Sequence, residues 1–416
     1  MTGEKKEKHT WKFTARFRSG AYGWKASALA CKRVREAVSE IMRVAVAEPV
    51  LAAEGAIKFF ERVNPAFMHV DSSSGALGTV IDKAISELAP IIVQAQVPEK
   101  KRAKWLDRLW GAYQDDGMCF IEDLGDYWGN LCGSADTANR WADDLRPAVL
   151  RRQQDRHATN FGTVTACYSC LLRSGRYQEI LEMLAQEPHK FWPEQKFGAM
   201  ALLEQGKKAE AIKFAEACKV GARNPDPDLD QFCEDILLSS GFHEEAYRKY
   251  AFSRNWRYTT RISIFRAISQ KYPMKEPGKI LSDLIASTPG EEGKWFATAK
   301  ELGLLDLALD LARRSPCDPK MLTRAARDFK ETNPKFALNA AMAAIHWLCH
   351  GYGWEITDYD VVMTYNLAME IAEKNGVAEK AFESIRSMVE QDTSPGMFVK
   401  SVLGDRIGPR HSPNHS

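Results

Sequence analysis

A short pattern that recurs around a glycine constrains the fold of this chain more than any other feature. It surrounds Gly175, Gly206 and Gly241, in the segments LLRSGRYQEILEML, ALLEQGKKAEAIKFAE and ILLSSGFHEEAYRKYA. Two leucines lie four and three residues before each glycine, and an aliphatic residue or alanine lies five after it. Glycine adopts the left-handed backbone that ends a helix, and apolar residues at helical spacing flank it on both sides. The pattern therefore predicts a helix, a tight turn and a second helix.

The same register continues towards the C-terminus, where Gly303 and Gly376 occupy the turn position. Pro273 and Pro334 mark two more turns, because proline stops one helix or opens the next. The seven turns are 30 to 35 residues apart, except for a last interval of 42. A period of about 34 residues is typical of tetratricopeptide-like helix pairs. We predict an all-α fold, in which an N-terminal helical bundle precedes an α-solenoid of helix-turn-helix repeats.

Residues 160–390 resemble divergent members of the tetratricopeptide-repeat superfamily, through these turns and the G-x-x-x-E-A core that follows Gly206 and Gly241. The whole chain is similar to uncharacterised bacterial proteins with TPR-like helices. The resemblance implies stacked helix pairs, and it implies no activity. Inner helices of such an array line a concave surface that can hold a partner.

Four regions are expected along the chain. Residues 1–25 form a basic aromatic arm, 26–155 a helical domain, 156–400 the repeat domain and 401–416 a disordered tail. The boundary near 155 is placed at a basic run that could cover the first repeat with a polar face, as terminal repeats often require. The tail is assigned from its short, polar composition.

The composition indicates a cytoplasmic protein with reduced thiols. The chain has 416 residues and a formal charge of +2, and its apolar runs are too short to cross a bilayer. Its N-terminus is charged where a signal peptide requires an apolar core. Nine cysteines are dispersed over helical segments, which favours buried free thiols over a disulfide framework. We expect no membrane association and no cofactor.

The N-terminal arm alternates aromatic and basic residues. Up to residue 45 there are eleven Lys or Arg residues against four Glu. Cations neutralise phosphates and aromatic rings stack on bases, so one hypothesis is a nucleic-acid site. Its candidate residues are Lys12, Arg16, Arg18 and Lys25. The alternative, which we favour, is that the aromatic side chains pack on the first helices and leave the cations in water.

Two short motifs have both a functional and a structural interpretation. Ser72, Ser73 and Ser74 precede a helix and could hold an anion there, but helix capping is the simpler explanation. Cys167 and Cys170 form a C-x-x-C pair that lacks the second pair of ligands a zinc site requires. We favour capping for the serines and buried packing for the cysteines.

The segment from His346 to Asp360 accounts for the one long interval between turns and is the best candidate for an insertion. His346 and His350 are four residues apart on one helical face, with Cys349 beside them. This spacing could supply metal ligands, although a closed zinc site requires about four. Ordinary core or surface histidines are the favoured interpretation.

A segment between residues 247 and 266 mixes tyrosine, tryptophan and arginine, the residues that dominate binding hot spots. Either these side chains bind a partner on the concave face, or the aromatic rings pack between repeats while the arginines are solvated. The candidate partner-binding residues are Arg254, Trp256, Arg257, Tyr258 and Arg261.

We expect a non-enzymatic scaffold or adaptor that binds a protein or peptide. No nucleophile, base and orienting group can be assembled from the sequence, and neither can a phosphate loop or a full set of metal ligands. One alternative is association with nucleic acid through the arm. A second is metal-dependent activity or metal binding at His346, Cys349 and His350.

Overall fold

The computed structural model describes residues 9–154, 161–187, 190–219, 226–252, 260–390 and 396–407. These ranges contain 22 α-helices and no strand, so the predicted all-α class is confirmed. The first eleven helices are α1 (Lys12–Arg16), α2 (Ser27–Ala45), α3 (Pro49–Phe67), α4 (Ala76–Gln94), α5 (Glu99–Gln114), α6 (Trp128–Leu131), α7 (Ala135–Gln154), α8 (Phe161–Arg173), α9 (Tyr177–Ala185), α10 (Trp192–Glu204) and α11 (Lys208–Ala217). The others are α12 (Pro227–Ser239), α13 (His243–Tyr250), α14 (Arg261–Lys271), α15 (Pro277–Ala286), α16 (Phe296–Glu301), α17 (Leu305–Arg314), α18 (Pro319–Phe329), α19 (Pro334–Cys349), α20 (Asp358–Lys374), α21 (Ala378–Val389) and α22 (Gly396–Ile407).

All seven predicted turns lie between two helices. Five contain a left-handed glycine, with φ between 70° and 81°: Gly175, Gly206, Gly241, Gly303 and Gly376. At the first turn the N–H of Arg176 donates to the carbonyl of Leu171 (2.9 Å), and that of Gly175 donates to Leu172 (3.1 Å). This pair of bonds is a Schellman motif, and it recurs at the other four glycines. The leucine pair of the sequence pattern therefore supplies the carbonyls that close the turn.

Local sequence also determines where the helices near the candidate site begin. Proline occupies the first position of α18 and α19, where its missing N–H leaves no hydrogen bond unmade. The Asn333 side chain caps α19 by accepting from the N–H of Phe336 (3.1 Å). Thr357 and Asp360 form a reciprocal capping box at the start of α20.

Most helices pack against helices one or two places away in the sequence. In the first half of the chain α8 contacts α7, α9 and α10, and in the second half α19 contacts α17, α18, α20 and α21. Stacked helix pairs produce contacts of this kind, because each repeat touches only its neighbours.

The chain divides into two compact units, Met1–Leu229 and Asp230–Ser416, at a position within α12. The domain boundary predicted near residue 155 lies inside the first unit. The reason is packing: α8 contacts α7, α6 and the 3₁₀ helix Glu122–Tyr127. The first helices of the predicted repeat domain therefore share a core with the N-terminal helices.

The N-terminal arm is part of this core. Trp11, Phe13, Phe17 and Tyr22 are buried, and the rings of Phe13 and Phe17 lie within 6.3 and 5.6 Å of Phe59 in α3. Trp24 is the exception, at 66% exposed. The packing interpretation of these aromatic residues is confirmed for four of the five.

The predicted tail begins too early. Residues 401–407 belong to α22, which contacts α19, α20 and α21. Val399, Leu403 and Ile407 are four residues apart, so their buried side chains form one apolar face. The polar residues between them made the segment resemble a disordered end. The rest of the predicted tail, residues 408–416, lies outside the described ranges.

None of the nine cysteines, all of which lie in the described ranges, forms a disulfide, and eight of them are buried. Burial raises the pKa of Cys167 to about 12, so its thiol stays protonated at neutral pH. Among the described helices, none is long and apolar enough to cross a bilayer.

Candidate functional site

Of the five predicted partner-binding residues, Arg261 lies within the described part of the chain. Arg254, Trp256, Arg257 and Tyr258 lie outside the described residues. Arg261 is described, and it forms an ion pair with Glu291 and lies 5.4 Å from the ring centre of Trp295. Both contacts are within the chain, so Arg261 stabilises the packing of α14.

The predicted nucleic-acid residues differ in their surroundings. Lys12, Arg18 and Lys25 have exposed side chains. Arg16 is also exposed, but its guanidinium donates to Glu36 at 2.5 Å. The structure therefore leaves three of the four predicted cations free of ion pairs with described residues, and it pairs the fourth.

The serines before α4 form a local turn. The Asp71 carboxylate accepts from the N–H of Ser73 (3.0 Å), and hydrogen bonds from Ser73 lower the pKa of Asp71. Ser72 accepts from the N–H of Gly75 through its carbonyl (2.9 Å), and the Ser74 hydroxyl is 3.5 Å from the N–H of Ala76. These contacts place the serines in a turn before α4, whose N-cap is Gly75 without a side-chain cap hydrogen bond, so the favoured capping by a serine is not observed.

The two histidines of the proposed metal set lie together, with ring centroids 4.3 Å apart. His350 donates from Nδ1 to the carbonyl of His346 (2.8 Å). Burial and the neighbouring His350 lower the pKa of His346, and burial raises the pKa of Cys349 to about 11. Within the described ranges, no three His, Cys, Asp or Glu side chains are grouped closely enough to hold a metal ion.

The residues predicted to form an insertion mostly lengthen the two helices on either side of it. α19 has 16 residues and α20 has 17, whereas α17 and α18 have 10 and 11. The long interval between turns is therefore distributed over two extended helices and the loop 350–357 between them.

A groove that the sequence analysis missed lies between α18 and α20. It has a volume of about 530 Å³ and is bordered by cations at positions 320, 324 and 327 of α18 and at position 330, directly after the helix. α20 contributes tyrosine, apolar and acidic side chains to the opposite side. We call this the α18–α20 groove; its principal lining residues are Lys320, Arg324, Arg327, Lys330, Ile356, Tyr359, Asp360, Met363, Asn366, Leu367 and Glu370.

Ion pairs connect the two helices at each end of the groove. Lys320 lies 3.5 Å from Asp360, and Lys330 lies 2.8 Å from Glu370. Hydrogen bonds from Lys330 and Lys374 hold the pKa of Glu370 below its ordinary value, so this carboxylate is ionised at neutral pH. The two end pairs fix the spacing of the helices.

The middle of the groove has unbalanced positive charge. Arg324 is exposed and forms no ion pair with any described residue, and Arg327 reaches only the adjacent Asp328, at 3.7 Å. At this level α20 contributes Met363 and Leu367, which carry no charge. The carboxylates of the opposite wall, Asp360 and Glu370, are paired with Lys320 and Lys330, so the two guanidinium groups border the groove without an ion pair across it.

The floor of the groove is a satisfied polar contact. The hydroxyls of Thr323 and Thr364 are 2.9 Å apart, and the carbonyls of Pro319 and Asp360 lie 2.8 and 2.7 Å from them, so one hydroxyl donates to the other and the second donates to the carbonyl of its own helix. Because buried hydroxyls without partners are unfavourable, this pairing favours a single arrangement of α18 against α20.

Two exposed aromatic side chains occur in this part of the chain, Trp354 in the loop 350–357 and Tyr359 in the first turn of α20, where it lines the groove. Trp354 is 81% exposed and Tyr359 is 72% exposed. The loop is held on α18, since Lys320 donates to the carbonyl of Glu355 at 2.9 Å. Gly353 has a φ of 112°, and a Cβ there would lie 2.5 Å from Ile356. This backbone is therefore specific to glycine.

No protein-family profile matches the chain, and no curated protein sequence matches it either. The resemblance to tetratricopeptide repeats therefore rests on the helix pairs and their turns alone.

Proposed function

We propose that this protein is a non-enzymatic adaptor that binds an acidic peptide segment of a partner protein in the α18–α20 groove. The observation that carries the proposal is the pair of arginines, Arg324 and Arg327, between two closed ion pairs. A peptide carboxylate at this position gains charge-assisted hydrogen bonds without displacing a carboxylate of the protein.

We also propose that the helix pairs stack as the repeats of an α-solenoid. If the helix pairs stack as repeats, α18 and α20 are the first helices of successive pairs and line the same face. The contacts of α18 with α20, of α17 with α19 and of α19 with α21 support this arrangement.

The length of the groove suits a short extended segment. α18 has 11 residues, and at a rise of about 1.5 Å per residue it is roughly 16 Å long. An extended chain advances about 3.3 Å per residue, so about five peptide residues span it. Alternating acidic and apolar residues would direct carboxylates to Arg324 and Arg327 and apolar side chains to Met363.

Exposed aromatic residues supply a further contact. Trp354 and Tyr359 are rigid, amphipathic side chains, and tryptophan, tyrosine and arginine are the residues most enriched at binding hot spots. A residue of the peptide that extends beyond the groove would pack on them.

The test uses a labelled peptide of about eight residues that alternates glutamate and leucine, and a counterpart with glutamine for glutamate, measured by fluorescence anisotropy. Replacing both arginines (Arg324→Gln with Arg327→Gln) should weaken binding of the acidic peptide at least about tenfold, since hydrogen bonds to charged groups contribute about 1.5–3 kcal/mol each. The control is Arg266→Gln with Arg313→Gln, which makes the same change of charge at two exposed arginines outside the groove.

The control variant should bind like the wild type. Equal affinity for the acidic and the glutamine peptides, or an equal loss in both double variants, would contradict the proposal.

A further inference from the structure

A second strongly charged surface lies on α1 and α2, in the N-terminal half of the chain. A shallow depression of about 390 Å³ is bordered by six cations and two carboxylates. We call it the α1–α2 basic surface; its charged residues are Lys12, Arg16, Lys32, Arg33, Arg35, Arg43, Glu36 and Glu40. It shares no residue with the α18–α20 groove.

Both carboxylates are already occupied. Glu36 accepts from Arg16 at 2.5 Å and from Arg33 at 2.6 Å. Glu40 accepts from the backbone N–H groups of Lys12 (2.7 Å) and Phe13 (3.1 Å), and so holds α1 on α2. The two acids therefore leave the other cations unneutralised.

Four cations remain without an ion pair to any described residue: Lys12, Lys32, Arg35 and Arg43. Three of these cations are on α2. Together with Ser39 they are spaced three or four residues apart, at positions 32, 35, 39 and 43, so they form one exposed stripe along the helix. From Lys32 to Arg43 the stripe is roughly 16 Å long, at about 1.5 Å per residue. A nucleic-acid duplex presents about one negative charge per 1.7 Å along its axis, or about nine over this length.

We infer that the α1–α2 basic surface binds the phosphate backbone of nucleic acid through this stripe, independently of the peptide groove. The chemistry is charge neutralisation with release of counterions. Trp11, Phe13, Phe17 and Tyr22 do not take part, because their rings are buried in the protein core. The binding rests on contacts to phosphates, which carry no sequence information, so we expect no sequence preference.

An anionic membrane fits the same surface less well. A helix that lies in a bilayer interface inserts its apolar face between the lipids. The apolar face of α2 is buried instead, at Ala30, Val34, Ala37 and Ile41, and α2 contacts α1, α3 and α4. The exposed stripe offers charge without a continuous apolar face.

The experiment titrates the full chain into a labelled duplex of about 20 base pairs at several NaCl concentrations from about 50 to 200 mM. Each neutralised phosphate contributes about −0.9 to the slope of log K against log salt, so four cations predict a slope of about −4. The triple variant Lys32→Gln, Arg35→Gln and Arg43→Gln should bind at least about tenfold more weakly at about 50 mM salt, and its slope should be smaller by about 3.

The matched control is Lys83→Gln, Lys100→Gln and Lys104→Gln, which removes the same charge from exposed positions of the same unit away from the stripe. It should keep the wild-type slope. Equal loss in both triple variants would show that only net charge matters and would overturn the inference.

Two more outcomes would overturn the inference: no duplex binding at the lowest salt, and preferential binding to vesicles that contain phosphatidylserine. The stripe variant should retain the affinity for the acidic peptide. Failure of this inference is therefore distinguishable from failure of the proposed function.

Discussion

Glycine at the helix turns acts through its backbone alone. At Gly206 φ is 78°, and an added Cβ would meet no atom within 4 Å. The space around the residue is open, so a larger side chain is disfavoured only by the left-handed conformation. Gly111, in the last turn of α5, has equally open surroundings and ordinary helical backbone.

These two glycines predict opposite effects of the same substitution. Gly206→Ala should lower the free energy of unfolding by about 1–2 kcal/mol, because a non-glycine residue is strained in left-handed backbone. Gly111→Ala should raise it by about 0.5–1 kcal/mol, because alanine is the better helix former. Chemical denaturation of both variants measures the difference. If both substitutions change the free energy of unfolding in the same direction, a conformational role for Gly206 is contradicted.

A carboxyl group in α4 predicts a pH dependence of stability. Partial burial and the negative charge of Asp123 raise the pKa of Asp82 to about 6. An acid with a raised pKa in the folded state stabilises it when protonated, and this contribution is lost as pH rises through about 6. Asp82→Asn should therefore raise the melting temperature at pH 7 relative to the wild type.

The difference between the Asp82→Asn variant and the wild type should shrink towards pH 4, where both side chains are neutral. Thermal melts at both pH values test this, and Asp123→Asn serves as a second probe by removing the neighbouring charge. A constant difference across the pH range would show that Asp82 is not titrating in this window.

At the scale of elements, close helix packing depends on single glycines. A Cβ on Gly129 in α6 would lie 2.1 Å from the carbonyl oxygen of Ser169 in α8. The backbone N–H of Gly129 also donates to the Ser169 hydroxyl (3.0 Å). The contact involves backbone, so a side chain at 129 can be accommodated only if a helix moves.

Gly129→Ala should consequently destabilise the protein by about 1–3 kcal/mol or more, the range expected for overpacking. Gly78→Ala in α4 is the control, since its Cβ would meet no atom within 4 Å. Urea denaturation should separate the two variants clearly. If the two substitutions cost the same, the close approach of α6 to α8 is not a constraint.

The capping box of α20 connects stability with the groove. Thr357 accepts from the N–H of Asp360, and Asp360 also pairs with Lys320 across the groove. Thr357→Ala should cost about 1 kcal/mol of stability and weaken binding of the acidic peptide, whereas Thr357→Ser should preserve both. Denaturation and anisotropy measure the two effects. Unchanged stability of the alanine variant would argue against the cap.

The sequence predicted the helix pairs well because their signals are local. At Gly175, Gly206 and Gly241, a glycine and two leucines within five residues determine both the conformation and the hydrogen bonds of the turn. The α18–α20 groove could not be predicted in the same way, because Arg324 and Met363 line one groove only through packing of helices about 40 residues apart in sequence. A local signal did exist: cations at 320, 324 and 327 share one face of α18.

For the molecule as a whole, the division within α12 differs from the predicted domain boundary. The basic run near residue 155 looked like a linker, yet α7 and α8 on either side of it pack together. Composition alone does not distinguish a linker from a charged helix end, because contacts across the boundary decide the division.

The second unit should fold by itself. A fragment that starts at residue 226 keeps α12 intact and contains the α18–α20 groove. We expect a helical circular dichroism spectrum and one cooperative thermal transition, because the unit has its own buried core. The fragment should bind the acidic peptide with the affinity of the full chain. A gradual, non-cooperative melt would show that the unit depends on the rest of the chain.

The repeated Schellman turn also bears on how such a chain can change length during evolution. The same two backbone hydrogen bonds close five of the turns. If a whole helix pair is duplicated or lost at these glycines, the two helix ends that become joined therefore fit the same turn. Recombination there creates no new loop, and selection acts only on the side chains at the two newly apposed faces.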